Sequence, residues 1–175
     1  MGRATFYKKL STLLSKGVLI KDGDFYNLSE TSEYLLPYLS EKKAFLPVVL
    51  VYLGSNTSCL LYVRNKRPFK NKLSLPGGRI VMGESIPSAV ERIMKDKFGI
   101  NATYMRTNSI SLEHVTGKNG VLHSFILILA SASTKDKISL VNFNKHKKSI
   151  IKSDYELIKK DKNKRLNIKT LYSPN

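Results

Sequence analysis

The chain of 175 residues contains one cysteine, no tryptophan and only thirteen acidic residues against thirty basic ones. A lone cysteine excludes a disulfide framework within the monomer. Cys59 falls in the strand-like run Cys59-Leu60-Leu61-Tyr62-Val63, where it reads as buried filler rather than a nucleophile. Long apolar runs are also missing: the longest, Ala44 to Leu53, is interrupted by Pro47 and far too short to span a bilayer. The N-terminus lacks the charged, apolar and small-residue regions of a secretory signal. The sequence therefore predicts a cytoplasmic protein without a membrane partner, and its length excludes a large multidomain enzyme.

What is present is an ordinary folded composition, 42% hydrophobic and 25% charged, with nine Tyr and seven Phe. A chain of this length buries roughly 70% of its unfolded surface, enough for one packed domain and a small appendage. The formal charge of +17 attracts polyanions such as nucleic acid, nucleotides or anionic surfaces. The same lysine excess, in a chain also rich in Asn, Ile and Ser, can equally come from an AT-rich coding bias with no selected partner.

Phe6, Leu10, Leu13 and Leu14 share one face of a helix predicted over residues 3–16, with Gly17 as its stop. Two short apolar runs, Val18-Leu19-Ile20 and Phe25-Tyr26-Asn27-Leu28, flank the turn Lys21-Asp22-Gly23-Asp24 and predict a hairpin. Ser29 can cap a further helix through Leu39, kinked at Pro37, before a polar boundary at Ser40-Glu41-Lys42-Lys43. Residues 1–43 resemble the recognition helix and wing of winged-helix DNA-binding domains. Such domains usually have two earlier helices, so the module is truncated, or its true start lies upstream, or the segment is a packing appendage, and the expected contact of residues 1–43 with nucleic acid is weak and salt-sensitive.

From Ala44 the pattern turns to strands, at 44–53 and 59–64, followed by a basic loop from Asn65 to Lys72. Ser85 to Phe98 reads as a helix capped by Ser85, with Pro87 in its first turn and Gly99 at its end. Strands follow at 102–107, 109–115 and 121–132, the last two joined by the turn 116–120. A final helix is expected near Ser153-Asp154.

Between strand and helix lies Leu75-Pro76-Gly77-Gly78-Arg79-Ile80, a Gly-rich turn of the kind that favours anions. Gly78, Glu84, Arg92, Met94, Gly99 and Ile100 fit six anchor positions of the signature G-x5-E-x7-R-E-U-x-E-E-x-G-U, in which U is bulky and aliphatic. Residues 44–175 thus resemble the Nudix hydrolase family. The resemblance implies an α/β/α sandwich with a mixed sheet. It also implies hydrolysis of nucleoside diphosphate derivatives with Mg²⁺ or Mn²⁺ held by carboxylates of the box.

Three of those carboxylates lie on one helix face in the family, at the positions of Ile93, Asp96 and Lys97 here, and only Asp96 is anionic. The resemblance leaves Glu84, Asp96 and the Gly77 carbonyl as metal ligands, with Glu84, Arg92 and Asp96 as the catalytic set and Arg92 paired to Glu84 or Asp96. Glu91, roughly 200° around the helix from position 93, is a poor substitute. Gly77, Gly78, Arg79, Lys97 and Arg64 are the residues expected to meet a ligand, and the loop cations Lys66, Arg67, Lys70 and Lys72 either meet phosphate or are solvated. His114 and His123 are expected to face each other across a hairpin, without carboxylates or cysteines that would make them metal ligands. Residues 143–170, with ten basic and three acidic residues, read mainly as a solvated face.

Three functions fit this sequence. The first is a Nudix fold with a degraded metal site that binds a nucleotide-like or other phosphorylated ligand, similar to Nudix-related transcription regulators that have lost hydrolysis. The second is an active pyrophosphohydrolase that recruits a further carboxylate. The third is a basic nucleic-acid-binding protein in which the fold is a scaffold. Homodimerisation is open in all three.

Overall fold

The computed structural model describes residues 3–29, 45–118 and 120–173. The chain divides into two compact units, residues 1–44 and 45–175. In the first, α1 (Arg3–Ser15) ends at Gly17, whose φ of 66° lets its N–H reach back to the Leu14 carbonyl at 3.0 Å. A hairpin follows, β1 (Leu19–Asp22) against β2 (Phe25–Leu28), with Asp22 opposite Phe25. Helix and hairpin occupy the places that periodicity predicts. The helix expected between Ser29 and Leu39 lies outside the described residues.

The second unit is built on a mixed four-stranded sheet in the order β7-β3-β9-β8. Its strands are β3 (Leu46–Tyr52), β7 (Gly77–Arg79), β8 (Ala102–Gly117) and β9 (Gly120–Thr134). β3 pairs antiparallel with β7 and parallel with β9, and β8 pairs antiparallel with β9. β3 is apolar along its length because both of its faces are covered. Val49, Val51 and Leu53 join one core with α2 (Ile86–Phe98), whereas Leu50 and Tyr52 join another with Leu157 and Ile158 of α3 (Lys152–Asp161). Sheet and helices therefore form the α/β/α layering that the resemblance implies.

α2 begins and ends as its sequence specifies. The Ser85 hydroxyl accepts from the Ser88 N–H at 3.3 Å, and Gly99, at φ 66°, donates to the Lys95 carbonyl at 3.0 Å. Its inward face, Ala89, Val90, Ile93 and Met94, is fully buried against the sheet.

Three sequence expectations need correction. The strand predicted over 59–64 is two fragments, β4 (Ser58–Cys59) and β5 (Tyr62–Val63), because the Leu60 N–H turns to the Leu53 carbonyl between them. β4 then pairs with β10 (Val141–Asn142), and β5 with β6 (Leu73–Ser74). The strands predicted at 102–107 and 109–115 are one strand. Its interruption becomes register shifts at Met105 and Asn108, and buried Asn108 is satisfied by the carbonyls of Lys162 and Lys164 and by the Ser131 hydroxyl. Finally, the β8–β9 turn closes between Gly117 and Gly120, and a shift between Val115 and Thr116 puts Val115, not His114, opposite His123. The two histidines therefore do not face each other. His114 shares a hydrogen bond with Ser124, and His123 stacks on Phe125. Cys59 is buried, as expected, and burial pushes its thiol up to about 12.

The burial of α2 yields a direct contrast. Ile93→Ala should lower the unfolding free energy by about 2–5 kcal/mol in urea titrations, whereas Asp96→Ala, on the exposed face of the same helix, should change it by less than about 0.5 kcal/mol.

Candidate functional site

The turn that carries the box is held to the sheet by backbone. Gly77 and Gly78 pair with Leu50 and Val49 of β3, and the Val51 N–H donates to the Pro76 carbonyl at 2.7 Å. Side chains are excluded there. A Cβ on Gly77 would lie 2.9 Å from the Val49 carbonyl oxygen, and one on Gly78 would lie 2.9 Å from Ile93 Cγ1 and 2.8 Å from Lys97 Nζ. The second contact fixes how close α2 comes to β7.

Across this approach, Arg92 takes both oxygens of Glu84, through Nε to Oε1 and through Nη2 to Oε2 at 2.9 Å. Nη2 also donates to the Arg79 carbonyl at 3.0 Å, and Glu84 Oε2 accepts from the Val81 N–H at 2.9 Å. The guanidinium hydrogen bond holds the Glu84 carboxyl below its usual range and raises Arg92 in turn. Of the two partners the sequence allowed for Arg92, the structure gives it Glu84. The pair ties the start of α2 to its middle and to β7.

The remaining box positions separate. Ile93 is fully buried in the core under α2. Asp96 is exposed and makes no hydrogen bond or ion pair with a described residue. Lys97 turns back over the strand, and its Nζ donates to the Gly77 carbonyl at 2.8 Å. Burial lowers its proton affinity, and the cations Arg92, Lys66, Arg64 and Arg79 lower it further.

Those cations converge on one cleft of about 610 Å³. Its charged lining is Arg64, Lys66, Arg67, Arg79, Arg92 and Lys97, with no carboxylate among the described residues that form it. Gly77, Gly78 and Phe125 complete its floor. Arg64 is steadied by its own loop, its Nε donating to the Pro68 carbonyl at 2.7 Å and the Lys66 carbonyl at 3.2 Å. Of the residues singled out in the sequence, Gly77, Gly78, Arg79, Arg92, Lys97 and Arg64 thus share one cavity. Glu84 and Asp96 do not line it. Among the described residues no group of three His, Cys, Asp or Glu side chains is placed to hold a metal ion.

Sequence reasoning missed the polar floor beneath the cleft. Asp154 of α3 is buried and accepts from the Ser74 hydroxyl at 2.9 Å and the Leu75 N–H at 2.8 Å, fastening α3 to the strand that leads into Gly77. Its sequence signal was slight, a carboxylate in the first turn of a helix within a strongly basic segment. Burial pushes the Asp154 carboxyl up to about 6, against the hydrogen bonds that favour its charged form.

The folded state therefore holds the Asp154 proton more tightly than the unfolded chain does. Its contribution to stability is complete below the ordinary carboxylate value and is lost as pH rises through about 6. Asp154→Asn keeps an oxygen to accept from Ser74 and Leu75 and removes the titration. The variant should be more stable than the parent by about 1–3 kcal/mol at pH 8 and should lose the pH dependence between 4 and 7, as followed by urea unfolding at a series of pH values.

No protein-family model and no curated protein matches the chain. Solved structures do. The MutT protein from Methanosarcina mazei Go1 is 18% identical with a TM-score of 0.55, over 69% of this chain and 94% of its own. The Nudix domain of NrtR from Shewanella oneidensis, solved with ADP-ribose, is 20% identical with a TM-score of 0.52, over 75% and 96%. A bifunctional NMN adenylyltransferase/ADP-ribose pyrophosphatase from Francisella tularensis, solved with AMP and a manganese ion, is 16% identical with a TM-score of 0.51, over 73% of this chain but only 45% of its own. At these identities the likeness establishes the fold, and residues 45–175 have the Nudix fold.

Proposed function

We propose that the Nudix-fold unit binds a phosphorylated, nucleotide-like ligand without a divalent metal and does not hydrolyse it. The observation that carries this reading is the Lys97 ammonium 2.8 Å from the Gly77 carbonyl, in a cleft whose Arg and Lys side chains face no carboxylate among the described residues that line it.

The residues present do not fit a metal. Mg²⁺ or Mn²⁺ needs several hard oxygen ligands. Both Glu84 oxygens are engaged by Arg92, the Gly77 carbonyl is engaged by Lys97, and Ile93 is sealed in the core. Asp96 stands alone, and a cation placed beside the ammonium would be repelled by it. Lys97 instead supplies a fixed positive charge of its own, which pairs with phosphate but does not activate water. Arg64 and Arg79 bring planar donors suited to phosphate oxygens, and Arg92, held by Glu84, lines the same cleft.

The AMP and ADP-ribose bound to the similar structures support a nucleotide-like ligand for this cleft. Binding without turnover suits a sensor or regulator. In this reading, exposed Lys8 and Lys9 on α1 add at most weak, salt-sensitive contacts with nucleic acid.

Calorimetric titration in EDTA tests the proposal. ADP-ribose or ADP should bind the parent, and Lys97→Ala should weaken that binding by about tenfold or more. Hydrolysis assays with Mg²⁺ and Mn²⁺ should show no turnover. Metal-dependent turnover that Asp96→Ala abolishes, or equal affinity of Lys97→Ala and the parent, would refute the reading.

A further inference from the structure

A smaller lobe of about 80 Å³ adjoins the cleft and shares Val48, Leu50, Arg64, Pro68, Ser74 and Phe125 with it. Its chemistry is the reverse of the mouth. Two carboxylates, Glu113 and Asp154, line it between apolar walls that include Phe69 and Leu127. Asp154 is already occupied by Ser74 and Leu75. Glu113 is half-buried and makes no hydrogen bond or ion pair with any described residue. Arg64 lines the same lobe, but its Nε is committed to the carbonyls of Lys66 and Pro68. The Glu113 carboxylate is therefore free to accept from a donor that enters the lobe.

Resting on the function proposed above, we propose that the phosphorylated ligand ends in a compact N–H donor, the exocyclic amine of a nucleobase, which enters the lobe and is read by Glu113. Size decides what enters. A cavity of about 150 Å³ takes a benzene ring, so a lobe of about 80 Å³ excludes a purine and admits an amino group. The ring itself stays in the main cleft, whose volume falls in the ordinary range for small-molecule sites. Phe125 and His123, stacked with ring centroids 6.0 Å apart, give it an aromatic floor. Glu113 is the cross-strand partner of Phe125, so its carboxylate stands beside that floor. The ligand's polarity then runs with that of the cleft, phosphates among the cations and amine among the carboxylates. A donor in the lobe also relieves the charge repulsion that Glu113 exerts on Asp154.

The experiment measures dissociation constants in EDTA for ADP, GDP, IDP and inorganic pyrophosphate. IDP keeps the purine and the phosphates but lacks an exocyclic amine. At least one of ADP and GDP should bind the parent about tenfold tighter than IDP, as a charge-assisted hydrogen bond implies. Glu113→Ala should erase that preference while leaving pyrophosphate affinity within about twofold. Glu113→Gln, which preserves shape and one accepting oxygen, should keep a smaller preference and decides the matter if the alanine variant does not fold. Equal affinity of the parent for all three nucleotides, or a preference that survives in both variants, overturns the inference and leaves the proposed function standing when pyrophosphate still binds in EDTA. If neither pyrophosphate nor any nucleotide binds, the cationic-cleft reading fails and this inference fails with it.

Discussion

Helix α2 and strand β7 meet where no side chain can stand between them. At Gly78 a single methyl group would press on Ile93 and on the tip of Lys97. The proximity that requires glycine also brings Arg92 within reach of the Arg79 carbonyl and Lys97 within reach of the Gly77 carbonyl. Separate the two elements and the Glu84–Arg92 pair loses its second anchor, Ile93 its packing surface, and the cleft two of its charges. Fold and candidate site depend on one steric condition.

Electrostatically the unit is partitioned. Glu84 is neutralised by Arg92, Glu156 is paired with Lys160, and Asp161 is paired with Lys164, so these acids are matched by nearby cations and none lines the cleft. Lys97 bears the cost of this arrangement, since its ammonium is partly desolvated among other cations. A multiply charged anion would relieve that crowding on arrival. Charge repulsion stored in the free cleft would in that way favour binding, as strain is often held at functional sites in folded proteins.

The parts legible in the sequence are those determined by near neighbours. Ser85, Gly99 and the spacing from Gly78 to Arg92 specify a turn and a capped helix within a short stretch of chain, and here the packing of α2 agrees with those local signals. Lys97 was legible as to face but not as to partner, because its bond to Gly77 depends on how closely helix and strand pack. Asp154 and Ser74 are far apart in sequence and give no periodic sign of meeting. The two histidines were misplaced by one position because a bulge adds a residue to β9 where residues 120–123 are all exposed, so no change of burial pattern marks the shift.

The parallel pairing of β3 with β9 also has a consequence in time. Leu46 lies opposite Phe125, and nearly every other element of the unit is encoded between them. As the chain emerges from the ribosome, β3, its most apolar segment, can find β7 early, but its other edge stays open until β9 has been made. Synthesis therefore passes through an interval in which an apolar strand has one bare edge, and loop closure over such a distance is slow. The order of the strands makes this domain most prone to aggregate before its last third exists, while the second edge of β3 is unpaired.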